Sequence, residues 1–326
     1  MPVVTVDREL GEKGEQPAPV VSIVVPTYNR AGLLKETLDA IFSQTFTDFE
    51  LIIVDNMSED GTEEYVRSIQ DPRVRYFRNP NNGVIAVSRN FGIKKSRGTY
   101  VAFCDDDDLW LPEKLEKQLG HFADGGLSCV ASDCIPIGDV KYFSKALSFR
   151  SKECIRDFSY NDILLGLNPV ISSSVITRRD YLLSLNGFDE SEDFCFIEDW
   201  ELWLRLSKRG DIRILSEPLL KYRMYVKEGR DARNVTSNQL KVIDKHEILG
   251  LLNVDTGRIA RANCYVVIGR AFLDIGDREG MKYYWRGLIG CSGISLRIRA
   301  LLGLMLFLLP VFMRNPLFNL AYSVKK

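Results

Sequence analysis

Between Val20 and Cys104, short β-branched runs alternate with segments of helical spacing. Val20–Val25 (VVSIVV) is continuously apolar apart from one serine, the pattern of a strand buried on both faces. Pro26-Thr27-Tyr28-Asn29 closes it. Leu34, Leu38, Ile41 and Thr45 then recur at helical spacing, which predicts a helix over Ala31–Gln44. Glu50–Val54 (ELIIV) predicts a second strand, ending at Asp55-Asn56 and the turn-rich Ser58-Glu59-Asp60-Gly61. A helix near Glu63–Ile69, a short strand Val74–Phe77, a helix Val84–Lys95 and a strand Tyr100–Cys104 follow. The last strand runs straight into Asp105-Asp106-Asp107-Asp108.

Strands alternating with helices predict an α/β fold built on a mostly parallel central sheet flanked by helices. Such sheets bind ligands beyond the carboxyl ends of their strands. Thr27-Tyr28-Asn29, Asp55-Asn56 and Asp105–Asp108 all fall at such ends, so three polar clusters on one edge mark a candidate site. From Leu127 the pattern changes. LSCVASDCIPI (127–137) and PVISSSVITRR (169–179) predict further strands, Asn186-Gly187-Phe188-Asp189 a turn, and Trp200–Lys208 a helix with a broad apolar face. Beyond Lys227 the chain is helical in pattern and carries no obvious chemistry.

Composition narrows the function. The chain has 326 residues, 43 Lys plus Arg against 44 Asp plus Glu, and a net charge of -1. That balance lacks the basic excess of a nucleic-acid-binding surface, so no nucleic-acid partner is expected. The seven Cys form no C-x-x-C pair and the two His, His121 and His246, lie far apart, so a bound metal would take oxygen ligands. No Walker A segment and no G-x-G-x-x-G occurs, which disfavours P-loop nucleoside triphosphatases and dinucleotide-dependent oxidoreductases.

Each candidate cluster also has a plain reading. An acidic run is commonly a solvated loop. Here it follows an apolar strand directly and is pinned by Leu109-Trp110-Leu111-Pro112, with Pro112 suited to the first position of the helix PEKLEKQL. Four like charges held together are costly without a cation among them. Mg2+ or Mn2+ held by one or two carboxylates and a substrate diphosphate fits that need. Asp55 and Asn56 suit base or ribose edges, and equally suit a turn. Glu198-Asp199 open an amphipathic helix, where acids are favoured by the dipole, yet they could equally supply a general base. Trp200 and Trp203 could stack on a sugar or pack in a core. The sequon Asn234-Val235-Thr236 carries no weight without a secretion signal.

The two ends differ. Residues 1–19 mix charge, Gly and Pro, contain no apolar leader run, and read as a loose tail, with the cytoplasm as the expected compartment. Ala300–Met313 (ALLGLMLFLLPVFM) is uncharged, but its fourteen residues fall short of the ~20 that cross a bilayer, and Pro310 interrupts it. Arg297, Arg299, Arg314, Lys325 and Lys326 flank it. The pattern suits either a core helix or a peripheral attachment, over 297–322, to the anionic inner face of the cell membrane.

Taken together, VSIVVPTYNR (21–30), DFELIIVDNMSEDGT (48–62), NNGVIAVSRNFGIKKSRGTYVAFCDDDDLWLPEKL (81–115), NGFDE (186–190) and EDWELWLRL (198–206) resemble, in this order, the motifs of glycosyltransferase family 2. The resemblance covers about Val21 to Tyr225. It implies a GT-A fold over 20–226, with a nucleotide-binding half at 20–126 and an acceptor half at 127–226, ahead of a helical region at 227–326. It implies inverting transfer of a sugar from a nucleotide-diphosphate donor, expected to be a UDP-sugar, with Mg2+ or Mn2+. By position, Pro26, Thr27, Tyr28, Asp55, Asn56, Asn90, Asp105 and Asp106 would serve the donor, Asp107 the metal, and Asp199 the base.

Two departures stand out. Many members carry two carboxylates where this chain has Asp55-Asn56, and the fourfold Asp run leaves the ligand register open by one residue. The Q-x-x-R-W signature of processive synthases is absent, which favours one sugar per encounter. The expected acceptor is a hydroxyl of a glycan or a polyprenyl-diphosphate-linked sugar in cell-surface polysaccharide synthesis. The competing classes are a nucleotidyltransferase, disfavoured because Pro26–Arg30 is no Gly-rich basic loop, and a catalytically inactive nucleotide-binding scaffold.

Overall fold

The computed structural model describes residues 17–139, 154–166, 170–194, 196–225, 232–274, 277–290 and 294–306. The described residues fall into two compact units, one within Met1–Glu192 and Glu198–Val226, the other within Asp193–Ile197 and Lys227–Lys326.

The first unit is organised by one mixed sheet. Strands β1 (Val21–Thr27) and β2 (Phe49–Asp55) are buried along their whole length, as continuous apolar runs require. β1 lies between β2 and β4 (Tyr100–Phe103), parallel to both, with Val21 beside Phe49 and Tyr100. β3 (Val74–Arg78) extends this parallel half beyond β2. The crossovers are helices α1 (Ala31–Phe42), α2 (Thr62–Ser68) and α3 (Ile85–Lys95). α1 buries Leu34, Leu38 and Ile41, the predicted stripe. α3 seats close to the sheet because Gly92 offers no side chain there; a Cβ would stand 2.4 Å from Val24 Cγ1.

Beyond β4 the pairing changes sense. The chain passes through β5 (Leu109–Trp110), α4 (Lys114–Gly120), β6 (Leu127–Gly138), β7 (Ile155–Phe158), α5 (Tyr160–Gly166), β8 (Ile176–Arg178), α6 (Arg179–Ser184), α7 (Glu198–Leu206) and β9 (Asp211–Met224). Among the described residues the strand order is β3-β2-β1-β4-β8-β6-β9-β5, with β7 paired to β9. β8 is antiparallel to β4 and β6, whereas β6 and β9 run parallel. The architecture is thus α/β, with a parallel half that carries the three predicted strand ends.

One expected strand is cut short. Of PVISSSVITRR, the described part from Val170 gives a single 3-10 turn at Ser172–Ser174 before β8. Serine hydroxyls compete for backbone partners and so break a ladder. Ser174 Oγ donates to the Ile171 carbonyl at 2.7 Å. Trp200 and Trp203, open between sugar stacking and core packing in sequence, are both fully buried, and Trp200 Nε1 donates to the Ile163 carbonyl at 3.1 Å.

The second unit is helical, as the sequence pattern predicts: α8 (Ala232–Ile248), α9 (Val254–Asp274), α10 (Gly280–Gly290) and α11 (Ile294–Leu306). The apolar run Ala300–Met313 is described only as far as Leu306, within α11; its remainder and the basic residues Arg314, Lys325 and Lys326 lie outside the described residues. Among the described residues no helix is long and apolar enough to cross a membrane.

Candidate active site

The carboxyl ends of β1, β2 and β4 set three loops side by side. Thr27, the last residue of β1, donates from Oγ1 to Asp106 Oδ2 at 2.8 Å. Its carbonyl accepts from the Asn56 N–H at 2.9 Å. The β1 and β2 loops are further laced by Asn29, whose N–H donates to Ser58 Oγ and whose Oδ1 accepts from the Glu59 N–H, both at 2.8 Å. Asn29 holds φ 50 and Met57 φ 61, left-handed conformations that sharpen both turns.

The aspartate run divides its labour. Arg30 Nη1 donates to Asp106 Oδ1 at 2.9 Å and to Asp107 Oδ2 at 2.8 Å, while its guanidinium lies 5.9 Å from the Tyr225 ring centre. Asp105 accepts from Arg89 Nη2 at 2.8 Å. Asp108, fully buried, accepts from the Arg223 backbone N–H at 2.9 Å, so it holds β9 rather than facing the cleft. Burial, then the neighbouring Asp105 and Asp107, push the Asp108 carboxyl well above the usual carboxylate range. Burial also raises Asp106, against the pull of Arg30 and Thr27.

Two bridges carry this cluster to the start of α7. Arg89, on α3 and almost wholly buried, donates through Nη1 to Glu198 Oε1 at 2.7 Å as well as to Asp105. The serine turn supplies the second. The Asp105 N–H donates to Ser173 Oγ at 2.9 Å, and the adjacent Ser172 Oγ donates to Asp199 Oδ2 at 3.1 Å. Trp110 Nε1 and Gln118 Nε2 fix the turn itself through the Ser173 and Ser174 carbonyls, at 2.9 and 2.7 Å. Acidic groups 93 positions apart in the chain (105 and 198) therefore share one guanidinium. Asp199 is raised to about 6, first by burial and then by the Glu198 charge, with Arg89 pulling the other way.

The predicted residues do not all face the cleft. Tyr28 is 53% exposed at its rim, and Pro26 lies within β1 beside Val54. Asp55 is fully buried: Oδ1 accepts from the N–H and Oγ of Ser58, and Oδ2 accepts from the Tyr76 hydroxyl. These bonds fix the shape of the loop. Asn56 is half-buried, and its Oδ1 accepts from the Asn81 N–H at 2.8 Å. Asn90, expected beside the donor, has its amide taken up by the 186–190 turn. Oδ1 accepts from the Phe188 N–H, and Nδ2 donates to the Phe188 carbonyl and Glu190 Oε1, each at 2.8 Å. That turn requires Gly187, which holds φ +67 and where a Cβ would meet Asn90 Oδ1 at 2.1 Å. Gly187→Ala is expected to cost about 2 kcal/mol or more of stability, read as a lower urea midpoint with an unchanged slope.

Arg89 and the serine turn carry the assembly, and neither was singled out in the sequence. Arg89 lay within a motif without a role. Ser172–Ser174 showed one signal, three hydroxyls in succession inside an apolar run.

The residues present fit a hard divalent cation. Asp105, Asp106, Asp107, Glu198 and Asp199 are gathered here; Arg30 pairs with Asp106 and Asp107, and Arg89 with Asp105 and Glu198. The guanidinium of Arg223 donates instead to Glu36 and to the Asp107 carbonyl. The all-oxygen donor set suits Mg2+ or Mn2+. Among the described residues no three acidic, His or Cys side chains form a complete cage. That is how Mg2+ is commonly held, by one or two carboxylates and its substrate's phosphates.

Comparison with known proteins places the chain by family and fold. The family described as Glycosyl transferase family 2 matches residues 22–183. An Escherichia coli protein, UDP-Glc:alpha-D-GlcNAc-diphosphoundecaprenol beta-1,3-glucosyltransferase WfgD, is 26% identical over 254 residues, covering 77% of this chain and 93% of its own. An uncharacterized glycosyltransferase of Methanocaldococcus jannaschii is 30% identical over 220 residues, 65% of this chain and 73% of its own. Among solved structures, the mannosyltransferase PcManGT of Pyrobaculum calidifontis, in complex with GDP-Man and Mn2+, superimposes with a TM-score of 0.57 at 19% identity, covering 95% of this chain and 87% of the other. The fold is that of the GT-A glycosyltransferases. The chain belongs to glycosyltransferase family 2.

Proposed function

We propose that this enzyme is an inverting, non-processive glycosyltransferase. It moves a sugar from a nucleotide-diphosphate donor, a UDP-sugar, to a hydroxyl of a glycan or polyprenyl-diphosphate-linked acceptor in cell-surface polysaccharide synthesis. Residues 20–126 serve the donor, 127–226 the acceptor. The enzyme works at the inner face of the cell membrane, attached peripherally through 297–322 of the helical region 227–326. The acceptor class has support in the lipid-diphosphate substrate in the name of the E. coli relative. One observation carries the chemistry: Arg89 joins Asp105 to Glu198 while the serine turn joins Asp105 to Asp199.

The donor's base and ribose lie against Thr27, Tyr28 and Asn56. Asp55 shapes that loop from behind. Asp107, with Asp105 or Asp106 beside it, would hold Mg2+ or Mn2+, which when bound supplies the positive charge that offsets the leaving diphosphate. Asp199 accepts the proton of the acceptor hydroxyl as that oxygen bonds to the anomeric carbon. The bond from that carbon to the diphosphate oxygen breaks, and its electron pair leaves with the diphosphate. One base and no protein nucleophile give a single displacement, hence inversion. The logic is that of inverting glycoside hydrolysis with a sugar hydroxyl in place of water.

The test is donor binding. Asp107→Ala is expected to remove the Mn2+-dependent part of UDP-sugar binding in calorimetry, with the metal-independent part retained. Equal Mn2+ enhancement in both chains would rule out the ligand assignment. A second expectation concerns pH. Asp199 must be ionised to accept a proton, so with its carboxyl raised to about 6, turnover falls about tenfold per unit of pH below that value. Turnover at saturating donor, measured from pH 4.5 to 8, checks this.

A further inference from the structure

α10 and α11 present an outer surface of unusual composition. On α10, Met281, Trp285 and Ile289 recur every fourth residue and are 38%, 56% and 68% exposed. On α11, Ile298, Leu301 and Met305 share one face and are 49%, 48% and 63% exposed. The remaining exposed side chains of the two helices are Lys282, Arg286, Arg297 and Arg299. No acidic residue occurs in either helix, whereas α8 carries Asp244 and Glu247 and α9 carries Asp255 and Asp274.

The inner faces of these helices are already filled. Tyr284 is fully buried, and its ring lies so close to Gly269 on α9 and Gly303 on α11 that a Cβ at either would fall within 3 Å of it. Leu296 and Ala300 are buried in the same cluster. The outward residues are therefore not a core turned inside out. Lys282 pairs with the exposed Glu279 just before α10, at 2.8 Å; large apolar groups interleaved with cations within the helices themselves match the boundary of an anionic bilayer, where apolar side chains enter the acyl region and cations meet lipid phosphates. A tryptophan there places its ring at the headgroup level.

We infer that the outer faces of α10 and α11, through Met281, Trp285, Ile289, Ile298, Leu301 and Met305, are a docking surface for an anionic lipid leaflet. This rests on the membrane-side reading above and names the residues that make the contact. It moves the anchor from the extreme apolar run to two helices whose cores are packed in protein.

The molecule contains its own probe. Of its four tryptophans, Trp110, Trp200 and Trp203 are at most 2% exposed, so Trp285 alone can report lipid contact. The experiment mixes the full-length chain with vesicles of phosphatidylglycerol and phosphatidylcholine, or of phosphatidylcholine alone, and reads sedimentation and tryptophan emission. The anionic vesicles are expected to bind the chain, shift Trp285 emission to the blue, and quench it when the acyl chains are brominated. The triple variant Met281→Ser, Trp285→Ser, Ile289→Ser is expected to bind them at least tenfold more weakly. Unchanged helical circular dichroism and protease resistance of residues 232–306 report that the variant's second unit folds. Wild type that sediments with anionic vesicles while emission is unmoved and the triple variant binds equally would overturn this surface but leave the membrane reading standing. Wild type that binds no vesicle would overturn both. Protection of Trp285 by protein concentration alone, without lipid, would assign the face to a second copy of the chain and overturn the inference.

Discussion

Asp199→Asn lowers turnover by about 10²–10⁴-fold, the usual contribution of a positioned general base, and leaves Mn2+-dependent nucleotide binding intact. The substitution keeps the shape of the side chain: its amide oxygen can keep the Trp200 N–H, which donates to Asp199 Oδ1 at 2.6 Å, while the amide nitrogen can donate to Ser172 Oγ, which donates to the carboxylate Oδ2 at 3.1 Å. What it removes is the capacity to take a proton. It also removes a negative charge from a place that disfavours one. The folded carboxyl is raised to about 6 from its ordinary 3.8, by burial and then by Glu198. An acid raised in the fold destabilises it once ionised, so the penalty is absent below pH 4 and grows as pH rises through 6. The variant should therefore match wild type in stability at pH 4 and exceed it at pH 8. Loss of turnover and of nucleotide binding in equal measure would mean that the residue supports the donor and is no base.

Arg89→Met has the second large effect, and through a different route. Removing the guanidinium leaves Glu198, with a side chain 10% exposed, without its counter-charge, and Asp105 likewise at 30%. Breaking a buried pair from one side costs about 3–5 kcal/mol; the partial exposure of Asp105 puts the expectation near about 3 kcal/mol. A merely structural role would end there. Arg89 also lowers the Asp199 carboxyl against burial and Glu198, so its loss should move the acid limb of the turnover profile to higher pH. Arg89→Lys restores the charge without the fork that reaches both carboxylates, and is expected to recover the limb more fully than the stability. An acid limb that stays in place in Arg89→Met would reduce the residue to a packing element.

These two residues show which links were legible in the sequence. Continuous β-branched runs announced β1, β2 and β4, because a strand buried on both faces has no polar side to show. The helical stripe Leu34, Leu38, Ile41 was equally plain. Those elements by themselves put Thr27, Asn56 and the aspartates on one edge. What remained hidden were contacts set by tertiary packing. Arg89 meets Glu198 across 109 positions, and periodicity carries no information at that distance. The serine turn read as strand because its neighbours are Val and Ile; only its hydroxyls distinguish it. Asp55 and Asn90 show the converse. Each residue type suits a donor site, yet in the fold Asp55 is held by Tyr76 and Ser58, and Asn90 by the Phe188 turn. Residue type names what a side chain can do, and its neighbours decide whether it is still available.

Anomalous scattering from crystals grown with Mn2+ and UDP tests the central claim most directly. The account predicts one strong manganese peak against the Asp107 carboxylate, with the diphosphate between it and Asp199. A nucleotide bound with its manganese away from residues 105–107, or with Asp199 facing away from the diphosphate, would contradict it.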